Sequence, residues 1–181
     1  MRTHSPPAAA TAASQLSGSE ADHIVSELYQ AHALGLTRMA KLLLGDQASA
    51  EDVVQEAFIN LYRALPRLSD REQIVPYLRT CVINGSRSAL RTRRRALLRT
   101  VHHEPPASSA ESAAMLSEDR RAVLAAVAGL PRRAREVLVL RYYLDLPDQE
   151  IAAALGVSRG TVSSTASRAM AAVARQLKEE S

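Results

Sequence analysis

The stretch "PDQEIAAALGVSRGTVSSTASRAM", residues 147–170, limits the possible folds more than any other part of the chain. It reads as a short Ala-rich helix, a tight turn at Gly156 and a second helix started by Ser158 as N-cap. With a rotation of about 100° per residue, Val162, Ala166, Ala169, Met170 and Val173 fall on one face, whereas Gly160, Thr161, Ser164, Ser167, Arg168 and Arg175 lie opposite. The first face is built to pack. The second carries almost nothing larger than a hydroxyl before Arg168, which suits a helix that must approach base edges in a major groove. Arg159 and Arg168 at its flanks are suited to neutralising phosphates or reading a guanine. A helix-turn-helix over about residues 148–167 is therefore expected; taken by itself, the pattern also fits a helical hairpin whose second helix is merely small and polar.

An all-α protein follows from the rest of the chain. Aromatic residues make up 3% of the 181 positions and Trp is absent, while Ala, Leu and Arg abound, a bias towards helices rather than a packed sheet. The 46% hydrophobic content suits two small helical units. From Ile24 to Leu44 apolar residues recur at helical spacing, ending at Gly45, which suits a left-handed cap. A second helix is predicted from Ala50 or Glu51 to Leu65, stopped by Pro66, and a third from Pro76. Val123, Leu124 and Val127 resume the period further on.

The opening "MRTHSPPAAATAASQLSGSE" lacks the apolar core of a signal peptide and reads as a disordered tail. No run approaches a membrane span, and the single Cys81 excludes a disulfide framework, so a reducing cytoplasm and no membrane are expected. Residues 101–117 combine Pro-Pro with Ser and Ala, as a flexible linker between two domains would. Within them His102, His103 and Glu104 lack further ligands at suitable spacing, so neither metal nor cofactor is expected.

Charge is unevenly placed. The net value is +4, but seven Arg and no acid fall between Glu72 and Glu104. Asn84-Gly85 is expected to break the helix, after which Arg87, Arg91, Arg94 and Arg95 line an exposed side that follows a nucleic-acid backbone, Asn84 meeting an unpaired base edge. A solvated basic helix is the other reading. In "DVVQEAFINLYRAL" the stripe Val54, Phe58, Leu61 and Leu65 belongs to a core. The far side holds Asp52, Glu56, Ile59, Asn60 and Arg63 with Gln55 at its edge, and an exposed Ile among polar groups suggests a docking face for a partner. No Ser, Cys or His stands nearby in a catalytic arrangement, so no enzyme is expected.

These segments, in this order over residues 24–178, resemble the extracytoplasmic-function sigma factors of bacterial RNA polymerase, the group IV branch of the sigma-70 family. "LYQAHALGLTRMAKLLLGDQASAEDVVQEAFINLYRAL" is similar to their region two and "LPRRAREVLVLRYYLDLPDQEIAAALGVSRGTVSSTASRAM" to their region four. With the disordered tail over 1–20 and the linker over 101–117, the resemblance implies region two over 21–100 and region four over 118–181. It implies docking on core polymerase, at the β′ clamp helices through Asp52, Gln55, Glu56 and Ile59 and at the β flap through region four. It implies −10 contacts by Asn84, Arg87, Ser88, Arg91, Arg94 and Arg95, and −35 contacts by Arg159, Gly160, Thr161, Ser163, Ser164, Ser167 and Arg168. Tyr77, Pro147 and Ser163 stand where the family often has Trp, Ser and a basic residue, the last implying a weaker −35 phosphate contact. An anti-sigma partner, holding the two domains together in a silent state, is implied as well. Two other readings remain: a dimeric helix-turn-helix regulator whose N-terminal half senses or dimerises, and an anti-sigma antagonist with sigma-like helices.

Overall fold

The computed structural model describes residues 18–68, 70–99 and 117–179, and among them every regular element is helical. Most of the proposed tail and linker lies outside the described residues, as do His102, His103 and Glu104. Three helices form the N-terminal half: α1 (Gly18–Leu44), α2 (Gln47–Ala64) and α3 (Ile74–Arg99). The C-terminal half is α4 (Glu118–Gly129), α5 (Arg132–Leu138), α6 (Asp148–Leu155) and α7 (Arg159–Glu179).

Local chemistry sets the boundaries. Gly45 takes a φ of 89° and Asp46 caps α2, its carboxylate accepting from the Ser49 N–H at 2.8 Å. That cap starts α2 three residues before the expected Ala50. Pro66 ends α2 through a 3-10 turn, Leu65–Arg67. The third helix begins at Ile74, behind a second 3-10 turn over Arg71–Gln73, so Pro76 lies within its first turn, where no intrahelical N–H is needed. Gly18 to Glu20, expected in the tail, form the first turn of α1.

The expected break at Asn84-Gly85 does not occur: α3 runs unbroken through both. The glycine is there for a neighbour. A Cβ on Gly85 would lie 2.9 Å from Cγ1 of Val53, so the missing side chain lets α2 and α3 approach.

The N-terminal core is Met39, Ala40 and Leu43 from α1, Val54, Phe58 and Leu61 from α2, and Leu78, Val82 and Ile83 from α3. In the C-terminal half Val137 to Leu140, Ile151, Leu155, Val162, Ala166, Ala169 and Val173 are buried. The resumed period at Val123 and Leu124 is only half met, since α4 turns Ala126 fully inward and leaves those two exposed. A π-turn, Val139–Tyr143, follows α5 and leads through Asp145, held at a φ of 52°, to α6.

The buried residues of both halves form one continuous cluster, with α5 against α1 and α6 against α3. Arg87 of α3 joins Glu136 of α5, Arg79 of α3 meets Glu150 of α6 at 3.3 Å, and Arg135 of α5 donates to the Leu43 carbonyl at 2.9 Å. Part of the seam is polar: α1 ends in carbonyls that have no helical partner, and Arg135 of α5 satisfies one of them.

Candidate nucleic-acid and partner surfaces

The turn between α6 and α7 needs a residue with positive φ, and Gly156 supplies it at φ 66°, ψ 45°. Its N–H and that of Val157 close the end of α6 on Ala152 and Ala153, and Arg133 donates to the Leu155 carbonyl at 3.1 Å. Ser158 then caps α7, accepting from the Thr161 N–H at 3.2 Å, while the two hydroxyls lie 2.9 Å apart. At the other end of α6, Pro147 offers no side-chain cap; Asp148 in the first turn is held by Arg141.

Val162, Ala166, Ala169 and Val173 bury one face of α7. Arg159, Gly160, Thr161, Ser163, Ser164, Ser167, Arg168 and Arg175 are all exposed, so α7 presents a shallow hydroxyl-lined surface between two cations. Arg168 Nε rests on the Ser164 carbonyl at 3.2 Å, which lays the guanidinium along the helix. Met170, expected on the packing face, is 43% exposed because the buried stripe runs through Ala169 instead.

On α3, Asn84, Ser88, Arg91, Arg94 and Arg95 are exposed along one unbroken helix. Arg87 departs from the expected free stripe. Its Nε and Nη2 donate to the two carboxylate oxygens of Glu136, each at 2.8 Å, and Nη1 donates to the side-chain Oδ1 of Asn84 at 3.4 Å. The hydrogen bonds to Glu136 hold the Arg87 guanidinium above its ordinary pKa, outweighing its partial burial. Tyr77, where the family often has Trp, packs on the core, and burial, with the Cys81 thiol beside it, raises its phenol.

The outward side of α2 holds Asp52, Gln55 and Glu56, all exposed, with Ile59 at 44%. Sequence reasoning missed Tyr62, 43% exposed one turn beyond Ile59, which lengthens the apolar strip. The exposed Tyr62 phenol is raised by the charge of Asp22 at the start of α1. Tyr29 of α1 meets Phe58 edge-on at 5.0 Å, anchoring α1 beside this face.

Among the described residues no helix is long and apolar enough to cross a membrane, and no cluster of His, Cys, Asp and Glu is placed to hold a metal.

Known proteins carry the same plan. The families described as "Sigma-70 region 2" and "Sigma-70, region 4" match residues 28–96 and 114–173. The "Probable RNA polymerase sigma factor RfaY" of Xanthomonas campestris pv. campestris is 31% identical over 149 residues, which span 78% of this chain but only 37% of that protein. The "ECF RNA polymerase sigma factor SigL" of Mycobacterium tuberculosis is 31% identical over 161 residues, 86% of this chain and 90% of SigL. Among solved structures, the sigma factor RpoE of Bartonella quintana, in complex with the anti-sigma factor NepR, shares the fold with a TM-score of 0.70 at 24% identity, over 87% of this chain and 98% of RpoE. Two helical regions in this order, a capped helix-turn-helix and full-length relatives lead to one assignment: the chain belongs to the extracytoplasmic-function sigma factors of the sigma-70 family.

Proposed function

We propose that this sigma factor works without catalysis of its own, as a two-part adaptor that gives core RNA polymerase its promoter choice in the cytoplasm. Residues 21–100 dock on the β′ clamp helices through Asp52, Gln55, Glu56 and Ile59, and their basic helix α3 engages the −10 element. Residues 118–181 lie near the β flap and engage the −35 element through Arg159, Gly160, Thr161, Ser163, Ser164, Ser167 and Arg168. The observation that best supports this is the exposed side of α7, where small hydroxyl side chains lie between two arginines with no other described helix packed over them. Phosphate contacts from both halves would supply salt-sensitive affinity, and base contacts worth roughly 1–3 kcal/mol each would supply discrimination. An anti-sigma factor is the expected antagonist, by analogy with the complex of RpoE.

The test is run-off transcription with core enzyme over a fragmented genome. Defined start sites are expected; none would end the proposal. Arg168→Ala should lower output from the promoters so found and flatten the salt dependence by about one unit of slope. Wild-type output at every salt concentration would remove Arg168 from the −35 surface.

A further inference from the structure

Charge on α7 is lopsided, and the imbalance runs on past Arg168. With about 100° of rotation per residue, Arg175 falls almost in line with Arg168, seven positions on, and Lys178 points towards the same side. All three are exposed. The other shoulder of the helix carries Arg159 in the first turn and then Ser163, Met170 and Ala174, which are exposed and uncharged. Between the two edges the outward face stays shallow through Ser164, Ser167 and Ala171, so the second half of α7 is as bare as the first. Among the described residues Arg79, Arg87, Arg93, Arg132, Arg133 and Arg141 each pair with an acid, whereas Arg168 and Arg175 do not. Two turns of helix raise Arg175 about 10.5 Å above Arg168, about three nucleotide steps of roughly 3.4 Å, so the two guanidiniums need not share a phosphate.

We infer that Arg175 is a second phosphate anchor of α7, and that Arg168 and Arg175 together grip the backbone of one DNA strand along a single edge of the helix; this rests on the reading of α7 as the −35 helix. A guanidinium offers a phosphate two parallel donors, and an arginine with no acid beside it meets that phosphate without first breaking an ion pair. Two anchors on one edge fix the tilt of the helix in the groove, which a single cation cannot do. The shallow face between the edges, Ala171 included, is what lets the distal half come close enough for Arg175 to reach the backbone.

The test uses the full chain with core polymerase, bound to promoter fragments recovered by run-off transcription, over a range of salt concentrations. Arg175→Ala is expected to weaken binding to every fragment by a similar factor and to flatten the salt dependence by about one unit of slope; Arg175→Lys, which keeps the charge, is expected to restore it. A single neutral methylphosphonate walked along each strand gives a second readout. On one strand only, a position is expected at which neutralisation weakens the wild type and leaves Arg175→Ala unaffected. If Arg175 merely offsets the dipole at the end of α7, its loss lowers the unfolding midpoint and spares the slope, which overturns the anchor. Methylphosphonates that weaken wild type and Arg175→Ala equally at every position overturn it too. Arg168→Ala separates the anchor from the reading beneath it: if that variant flattens the slope and Arg175→Ala does not, α7 remains the −35 helix and the second anchor is gone. If neither variant changes the slope, or no defined fragment is recovered, the −35 reading fails and takes the anchor with it.

Discussion

At the scale of single residues, Gly85 shows how a helix-breaking signal is overruled. Glycine in a helix interior is disfavoured by about 1 kcal/mol against alanine, and here the close passage of Val53 makes the absent side chain worth more than that. Gly85→Ala should therefore destabilise the protein in chemical denaturation despite its better helix propensity. Adding Val53→Ala should recover part of the loss, and additive losses would refute a shared contact. The pair is 32 positions apart in sequence (85 − 53), so no local rule could reveal it, whereas Phe58 and Leu61 were legible as core from their spacing alone. Cys81 offers a second residue-scale test. Burial raises its thiol pKa and the Tyr77 hydroxyl only partly offsets this, so the folded state holds the proton more tightly than the unfolded one. The stability this gives is present below the ordinary thiol pKa and is lost as pH rises through the raised value. Alkylation of the native protein near neutral pH should be slow and should quicken in alkali and on unfolding; labelling as fast as that of free cysteine would contradict the burial.

Among the elements, the helix-turn-helix was the most legible from sequence, because its stop and start signals are local chemistry. Gly156 and Ser158 are where the pattern put them and do what it implied. Gly156→Ala meets no atom within 4 Å, so its whole effect is backbone strain, roughly 1–2 kcal/mol in thermal or chemical unfolding. Ser158→Ala removes the cap of α7 and should cost about 1 kcal/mol. A null result for both would mean that the turn is held by packing alone. The positions of Arg133, Arg135 and Arg141 were not legible, because each satisfies a group on another element: the end of α6, the end of α1 and the first turn of α6. Such arginines look like surface charge in sequence, and only the unpaired helix ends they meet explain them.

For the whole molecule, the order of the two helical units could be read from apolar period and turn residues, but their mutual contact could not. Arg87 and Glu136 lie 49 positions apart, and a charged residue within an apolar run carries no label naming its partner. The proposed docking face is a whole-molecule property too, since Ile59 and Tyr62 stay exposed while α1 and α3 cover the opposite side of α2. Asp52→Ala and Gln55→Ala, both off the buried stripe, should leave the unfolding midpoint nearly unchanged and reduce co-purification with core polymerase. Unaltered co-purification would move the docking site elsewhere.

The bareness of α7 has a mechanical side. Gly160, Thr161, Ser163, Ser164, Thr165 and Ser167 are all mediocre or poor helix formers, and few long side chains brace that flank. What keeps the rod straight is the seam of Val162, Ala166, Ala169 and Val173 beneath it. The proposed readout and the rigidity thus reside on opposite sides of a single cylinder, so on that proposal a ligand that pried α7 from its bed would silence the protein without touching one outward-facing atom.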